Sequence, residues 1–163
     1  MGSSAPGCQS GRQNRAMVQI RRIVCPTDFS PTARHACDYA AELARSFGAE
    51  LVLLHVIPEL NYPTRSFGMA VAFPHLREEL HQRSRDELAA EAKRFDPSLK
   101  VVTEVRDGIS HEQVLDCAKA HQADLIVMGT HGHTGLAHMV LGSTAERVVR
   151  MADCPVMTVR SKS

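Results

Sequence analysis

The feature that most constrains this chain is a fivefold alternation of short apolar runs with longer segments of helical period. The runs fall at 20–25, 51–57, 101–105, 125–128 and 156–159. Residues 51–57 are nearly all apolar and 125–128 entirely so, the mark of strands covered on both faces of a parallel sheet. The segments between runs are too long for hairpins, so each connection is read as a helical crossover. Right-handed crossovers then put helices on both faces, which predicts an α/β fold with a doubly wound, five-stranded parallel sheet.

The helical segments carry their own punctuation. Ser30 and Pro31 read as the N-cap and first residue of a helix whose inner face is Ala36, Ala40, Leu43 and Phe47, with Gly48 as the stop. Leu76, Leu80, Leu88, Ala92 and Phe95 share one face of a helix over 74–95, which Pro97 ends. Ser110 and Gln113 have capping-box spacing ahead of Val114, Leu115 and Ala118. Ser143 opens a last helix through Val148 and Val149. Residues 58–73 hold prolines and aromatics without a clean period and read as a long loop.

Composition excludes several function classes. In 163 residues, Lys+Arg 19 against Asp+Glu 18 gives a formal net charge of +1, without the basic excess that drives duplex binding, so no nucleic-acid partner is expected. No apolar stretch approaches the roughly 18 residues of a membrane-spanning helix, so no membrane role is expected. The five cysteines lack CxxC spacing and follow no secretory signal, which points to a reduced, cytoplasmic setting. Residues 1–16 are read as a disordered tail or expression remnant, and 17–163 as one domain.

Chemistry concentrates after the fourth run. Gly129-Thr130-His131-Gly132-His133-Thr134-Gly135 is followed, past a short spacer, by Gly142-Ser143-Thr144 at a helix start. Glycines let backbone amides approach phosphate oxygens, and a helix N-terminus offers unpaired N–H groups and a positive dipole end. Glycines after a strand also make plain tight turns, and Ser143 can be merely a cap. In doubly wound sheets, however, ligands bind beyond the carboxyl ends of strands where strand order reverses, which is where both clusters fall.

The combination Gly129-x-x-Gly132, nine residues, Gly142-Ser143 resembles the signature of the universal stress protein family, in its ATP-binding branch. Pro26-Thr27-Asp28-Phe29-Ser30 resembles that family's opening motif, Leu54-His55-Val56 the end of its second strand, and Gly108-Ile109-Ser110-His111-Glu112 its third turn. The resemblance covers roughly residues 21–160. It implies a Rossmann-like sheet of order 3-2-1-4-5, of the adenine nucleotide alpha hydrolase type. It also implies ATP as ligand, with Mg²⁺ or Mn²⁺ on its phosphates, and a homodimer joined through the last strand, Val156 to Val159. Asp28 matches the acidic residue at the ribose, Pro26 and Thr27 the neighbouring wall, and Val56 and Met128 positions on or near adenine. Gly129, Gly132, Gly142, Ser143 and Thr144 match the phosphate-holding segment, with His131 and His133 beside it.

Each position has a plainer role open to it. Val56 and Met128 also suit ordinary core, and Asp28 also suits the N-terminus of the following helix. His131, His133 and His138 invite a metal, but the loop supplies no carboxylate or thiolate partner, so phosphate contact or solvent exposure is expected. The chain has no G-x-x-x-x-G-K-[ST] run and no G-x-G-x-x-G in its first turn, which argues against a P-loop motor and a dinucleotide dehydrogenase. With no catalytic base or nucleophile assignable, the expected function is a nucleotide-dependent regulatory switch that signals to a further protein. The alternatives are a nucleotide-free stress protein acting through its dimer surface, and a slow ATPase or adenylyl-transferring enzyme.

Overall fold

Alternation within each strand divides the core in two. In the computed structural model, which describes residues 19–58, 73–130 and 141–160, Ile23, Cys25, Leu51, Leu53, Leu125 and Val127 point to one face of the sheet. Val24, Val52, Leu54, Ile126 and Met128, the residues between them, point to the other. Both sets are buried, so the continuous apolar runs are the two-faced strands that their composition demands.

The strands are β1 (Arg22–Pro26), β2 (Glu50–Ile57), β3 (Val101–Asp107), β4 (Leu125–Gly129) and β5 (Val156–Val159). They form one sheet of order β3-β2-β1-β4-β5, and every pair is parallel. Ile23 of β1 stands opposite Leu51 of β2 and Leu125 of β4. Helices α1 (Pro31–Phe47) and α2 (Phe73–Ala92) cover the first face through Ala36, Ala40, Ala44 and Leu88. The second face is covered by α3 (Ser110–Ala120) and α4 (Ser143–Met151), through Val114, Cys117 and Val148. The doubly wound sheet expected from sequence is the observed one.

Helix ends differ in ways that matter for the site. Ser30 caps α1, its hydroxyl accepting from the Ala33 amide, and Gly48 closes that helix in the left-handed region at φ 64°, as Ser30, Pro31 and Gly48 predict. Ser110 is not the cap of α3: it is the first helical residue, Ile109 occupies the cap, and no side chain bonds the helix end. The capping-box spacing is overridden because Gly108, at φ 135°, carries the turn instead. Two expected core positions are exposed, Phe47 at 53% and Leu76 at 43%. On α1 the buried face is an alanine and cysteine stripe of Ala33, Ala36, Cys37, Ala40, Ala41 and Ala44. Small side chains let this helix lie close on the sheet, and Phe47 in the last turn stays outside the buried stripe. Of the expected loop over 58–73, residues 59–72 lie outside the described residues.

Candidate functional site

Strand order reverses at β1, whose crossover leads to β2 on one side while β4 pairs on the other. A cleft of about 350 Å³ opens there, beyond the carboxyl ends of the strands, where doubly wound folds bind ligands. Its walls are built from the turn after β1, the end of β2, the end of β4 and the first turns of α3 and α4.

The turn after β1 is fixed by backbone bonds. Thr27 N–H donates to the Leu54 carbonyl at 2.8 Å, and the Thr27 hydroxyl oxygen accepts from Phe29 N–H at 3.0 Å. Asp28 accepts the Ser30 amide on Oδ1 at 3.1 Å. This is the helix-terminal role that its position suggested, and it leaves the residue on the cleft wall. Phe29 sits at φ 64°, in the left-handed region, where a bulky residue costs about 1–2 kcal/mol. Its ring is stacked on His55 with centroids 4.6 Å apart, a contact that offsets the strain.

Across the cleft, Gly142 caps α4 and no side chain bonds the helix end. The first amides of a helix lack partners within it, so those of Ser143, Thr144 and Ala145 are presented to the cleft that these residues line. The Gly142 amide is spent elsewhere: it donates to the Thr130 carbonyl at 2.8 Å, while the Thr130 amide donates to the Val159 carbonyl at 2.9 Å. The Gly142 N–H is therefore committed within the fold and is not a donor to the cleft. The second uncapped helix, α3, brings Ser110 and Val114 to the same cleft.

Pro26, Thr27, Asp28, Val56, Met128, Gly129, Gly142, Ser143 and Thr144 thus line one cleft. His131, Gly132 and His133 lie outside the described residues. Met128 is both core and wall, 5% exposed and packed in the α3/α4 cluster, and Val56 packs against the same cluster. Sequence reasoning did not assign Ser110, Val114, Leu54, Ala33 or Thr130 to the site. Ser110 was within reach, since it opens the helix after β3 and so falls at the carboxyl end of the sheet. The described residues lining the cleft include no lysine or arginine. An anion at the α4 end would meet amides, hydroxyls and a helix dipole, with the Asp28 carboxylate on the opposite wall.

Such a cleft at the switch point of a 3-2-1-4-5 sheet defines a doubly wound, Rossmann-like α/β protein with its cleft at the carboxyl ends of the strands. Residues 19–160 match the Universal stress protein family, and the chain belongs to that family. It is 33% identical over 159 residues to Universal stress protein MJ0577 of Methanocaldococcus jannaschii, covering 90% of this chain and 98% of that one. The solved MJ0577 structure superposes with a TM-score of 0.78 at 31% identity, covering 90% of this chain and 99% of that one. Two more distant structures share the fold. One is a universal stress protein solved in complex with cAMP, 23% identical with TM-score 0.60, covering 88% of this chain and 99% of that one. The other is the Archaeoglobus fulgidus protein solved in complex with dAMP, 20% identical with TM-score 0.58 and the same coverages.

Proposed function

We propose that this chain binds ATP in the cleft between β1 and β4, with Mg²⁺ or Mn²⁺ on the phosphates, and acts as a regulatory switch in stress response. The observation that carries the reading is the uncapped N-terminus of α4, with its first amides on the cleft wall opposite the Asp28 turn. Phosphates would take those amides and the Ser143 and Thr144 hydroxyls, with His131, Gly132 and His133 completing that end. The Asp28 carboxylate would accept from ribose hydroxyls against Pro26 and Thr27, and adenine would lie on Val56 and Met128. A polyphosphate in a cleft without described lysine or arginine calls for a divalent cation, which is why the metal belongs to the proposal. The cAMP and dAMP complexes of fold relatives support an adenine nucleotide as the ligand class.

Little or no intrinsic hydrolysis belongs to the same reading. The described lining offers one carboxylate, Asp28, already accepting the Ser30 amide, and no arginine to meet charge on a γ-phosphate. The output is then a nucleotide-ordered surface read by a partner protein. The domain would span 17–163, in the cytoplasm, as a homodimer through Val156 to Val159. In support, β5 is a sheet edge among the described residues, and an apolar edge strand favours pairing with a second copy. No helix among the described residues is long and apolar enough to cross a membrane.

The test is to purify the protein without added nucleotide, denature it and run the released small molecules on an ion-exchange column. Stoichiometric adenine nucleotide is the expected result. A protein that is empty and also fails to bind added ATP overturns the reading and leaves the dimer surface as the seat of function. Steady turnover near ~1 s⁻¹, the ordinary enzyme range, would replace the switch with an ATPase.

A further inference from the structure

At the end of α3 remote from the cleft, that helix meets the edge strand β3 in a cluster that the nucleotide reading does not use. Glu104 lies on β3, Cys117 on α3, and His121 at the helix C-cap. A spacing of four residues puts the thiol and the imidazole on one helix face. His121 Nε2 is 2.8 Å from Glu104 Oε2, and Cys117 Sγ is 3.7 Å from the same oxygen. The three donor atoms all lie within 4.8 Å of one another, the one such trio among the described residues.

One carboxylate oxygen thus gathers two metal-ligating side chains, the imidazole as an ion-pair partner and the thiol as an S–H donor. The surrounding bonds also leave these three atoms facing each other. Arg106 Nε takes the other carboxylate oxygen, Oε1, at 2.6 Å, and Arg22 Nη1 holds the His121 carbonyl at 2.7 Å. Cys117 is fully buried, whereas the His121 and Glu104 side chains are 25% and 27% exposed. The cluster is therefore walled by protein on the sulfur side and open to solvent on the other.

We propose that Glu104 Oε2, Cys117 Sγ and His121 Nε2 bind Zn²⁺, with a water in the fourth position, as a clamp between α3 and β3. Thiolate with imidazole selects zinc over Mg²⁺ or Ca²⁺, which take oxygen ligands. Zinc bonds of about 2.0–2.3 Å in a tetrahedron space donors about 3.3–3.7 Å apart. The sulfur–oxygen pair already has that spacing, the nitrogen–oxygen pair must open by less than about 1 Å, and the sulfur–nitrogen pair, within 4.8 Å, must close by at most about 1–1.5 Å. On binding, the thiol gives its proton to solvent, and the imidazole stays neutral with its proton on Nδ1. The clamp fixes the helix that carries Val114, one turn earlier, to the cleft.

The test uses the full chain, stripped of metal and reduced, titrated with Co²⁺ and then Zn²⁺. A thiolate-to-cobalt charge-transfer band and intense tetrahedral d–d bands are expected to saturate at one Co²⁺ per chain and to vanish on adding Zn²⁺. Saturating Zn²⁺ should raise the melting temperature by roughly 5–10 °C. Cys117→Ser should lose the charge-transfer band, and His121→Asn, at a partly exposed position at the end of the helix, should lose stoichiometric binding. Cys154→Ser and a combined His131→Ala, His133→Ala, His138→Ala variant should keep both. The absence of any band in the parent protein overturns the site. So does a band that survives Cys117→Ser and His121→Asn, or one that disappears in either control.

Discussion

The Nδ1 of His55 lies 2.8 Å from the carbonyl oxygen of Thr27, and a carbonyl only accepts, so Nδ1 carries the proton. The same imidazole stacks on Phe29. One side chain at the end of β2 thus holds both the turn that offers Asp28 to the cleft and the left-handed residue that makes the turn. His55→Ala should cost about 1–3 kcal/mol, from one hydrogen bond and one ring pair, and should weaken adenine-nucleotide binding. Urea unfolding beside nucleotide titration checks this. His55→Phe should recover part of the stability, and an alanine variant as stable as the parent would mean that the turn holds itself.

Gly142→Asp separates binding from folding. The residue has φ −69° and ψ 154°, open to any side chain, and aspartate is a favoured N-cap. Stability should hold or rise by a few tenths of a kcal/mol, while affinity for ATP falls by at least about 100-fold, equivalent to about 2.7 kcal/mol, as the new carboxylate takes the amides and repels phosphate. Loss of both together would show instead that the substitution disrupts the fold.

Gly108 is required by its backbone. At φ 135°, a Cβ would also meet the Gln113 side chain at 3.1 Å. Gly108→Ala should destabilise by about 1–3 kcal/mol and displace Ser110 from the cleft wall. A denaturation midpoint unchanged from the parent would contradict it.

The edge strand β5 tests the dimer. Pro155 and Val159 accept from β4 side amides, so by strand alternation the Thr158 N–H faces the free edge. Thr158→Pro removes an outward donor without touching the bonds to β4. The protein should then sediment as a folded monomer, and a dimer that persists would put the interface elsewhere.

Alkaline pH should reveal the buried thiol pair. Cys37 Sγ lies 3.5 Å from Cys25 Sγ, and that contact, with burial, pushes the Cys25 thiol well above the usual cysteine range. The folded state keeps its proton after the unfolded chain has lost it. This contribution to stability is complete below about pH 8.5 and is lost as pH rises beyond, by up to about 1.4 kcal/mol per unit. Unfolding free energies measured from about pH 8 to about pH 10 should fall more steeply for the parent than for Cys25→Ala. Parallel slopes would remove Cys25 as the cause.

Much of the fold was legible because apolar runs and caps are local signals. The strand cores at 51–57 and 125–128 and the cap at Ser30 follow from neighbouring residues alone. Phe47 and Leu76 keep the helical period of the core face yet are exposed, because period fixes a direction and not the reach of the sheet beneath it. Ser110 has the right spacing to Gln113 for a cap, but the positive φ of Gly108 is a tertiary demand that spacing does not encode. In the cleft, the glycines and Asp28 were visible as motifs. Val114 and Leu54 enter only when strand order brings distant segments together. The pair Cys117 and His121 stood four apart in the sequence, yet its third partner, Glu104, comes from another strand.

The bonds from Gly142 N–H to the Thr130 carbonyl and from Thr130 N–H to the Val159 carbonyl use only main-chain atoms. They fix Thr130 and Gly142 beside the end of β5, whatever side chains stand at those two positions. The ends of β4 and of the turn before α4 are therefore anchored to the sheet by main chain alone, so substitutions at Thr130 or Gly142 change what the cleft presents without removing the bonds that hold those two positions.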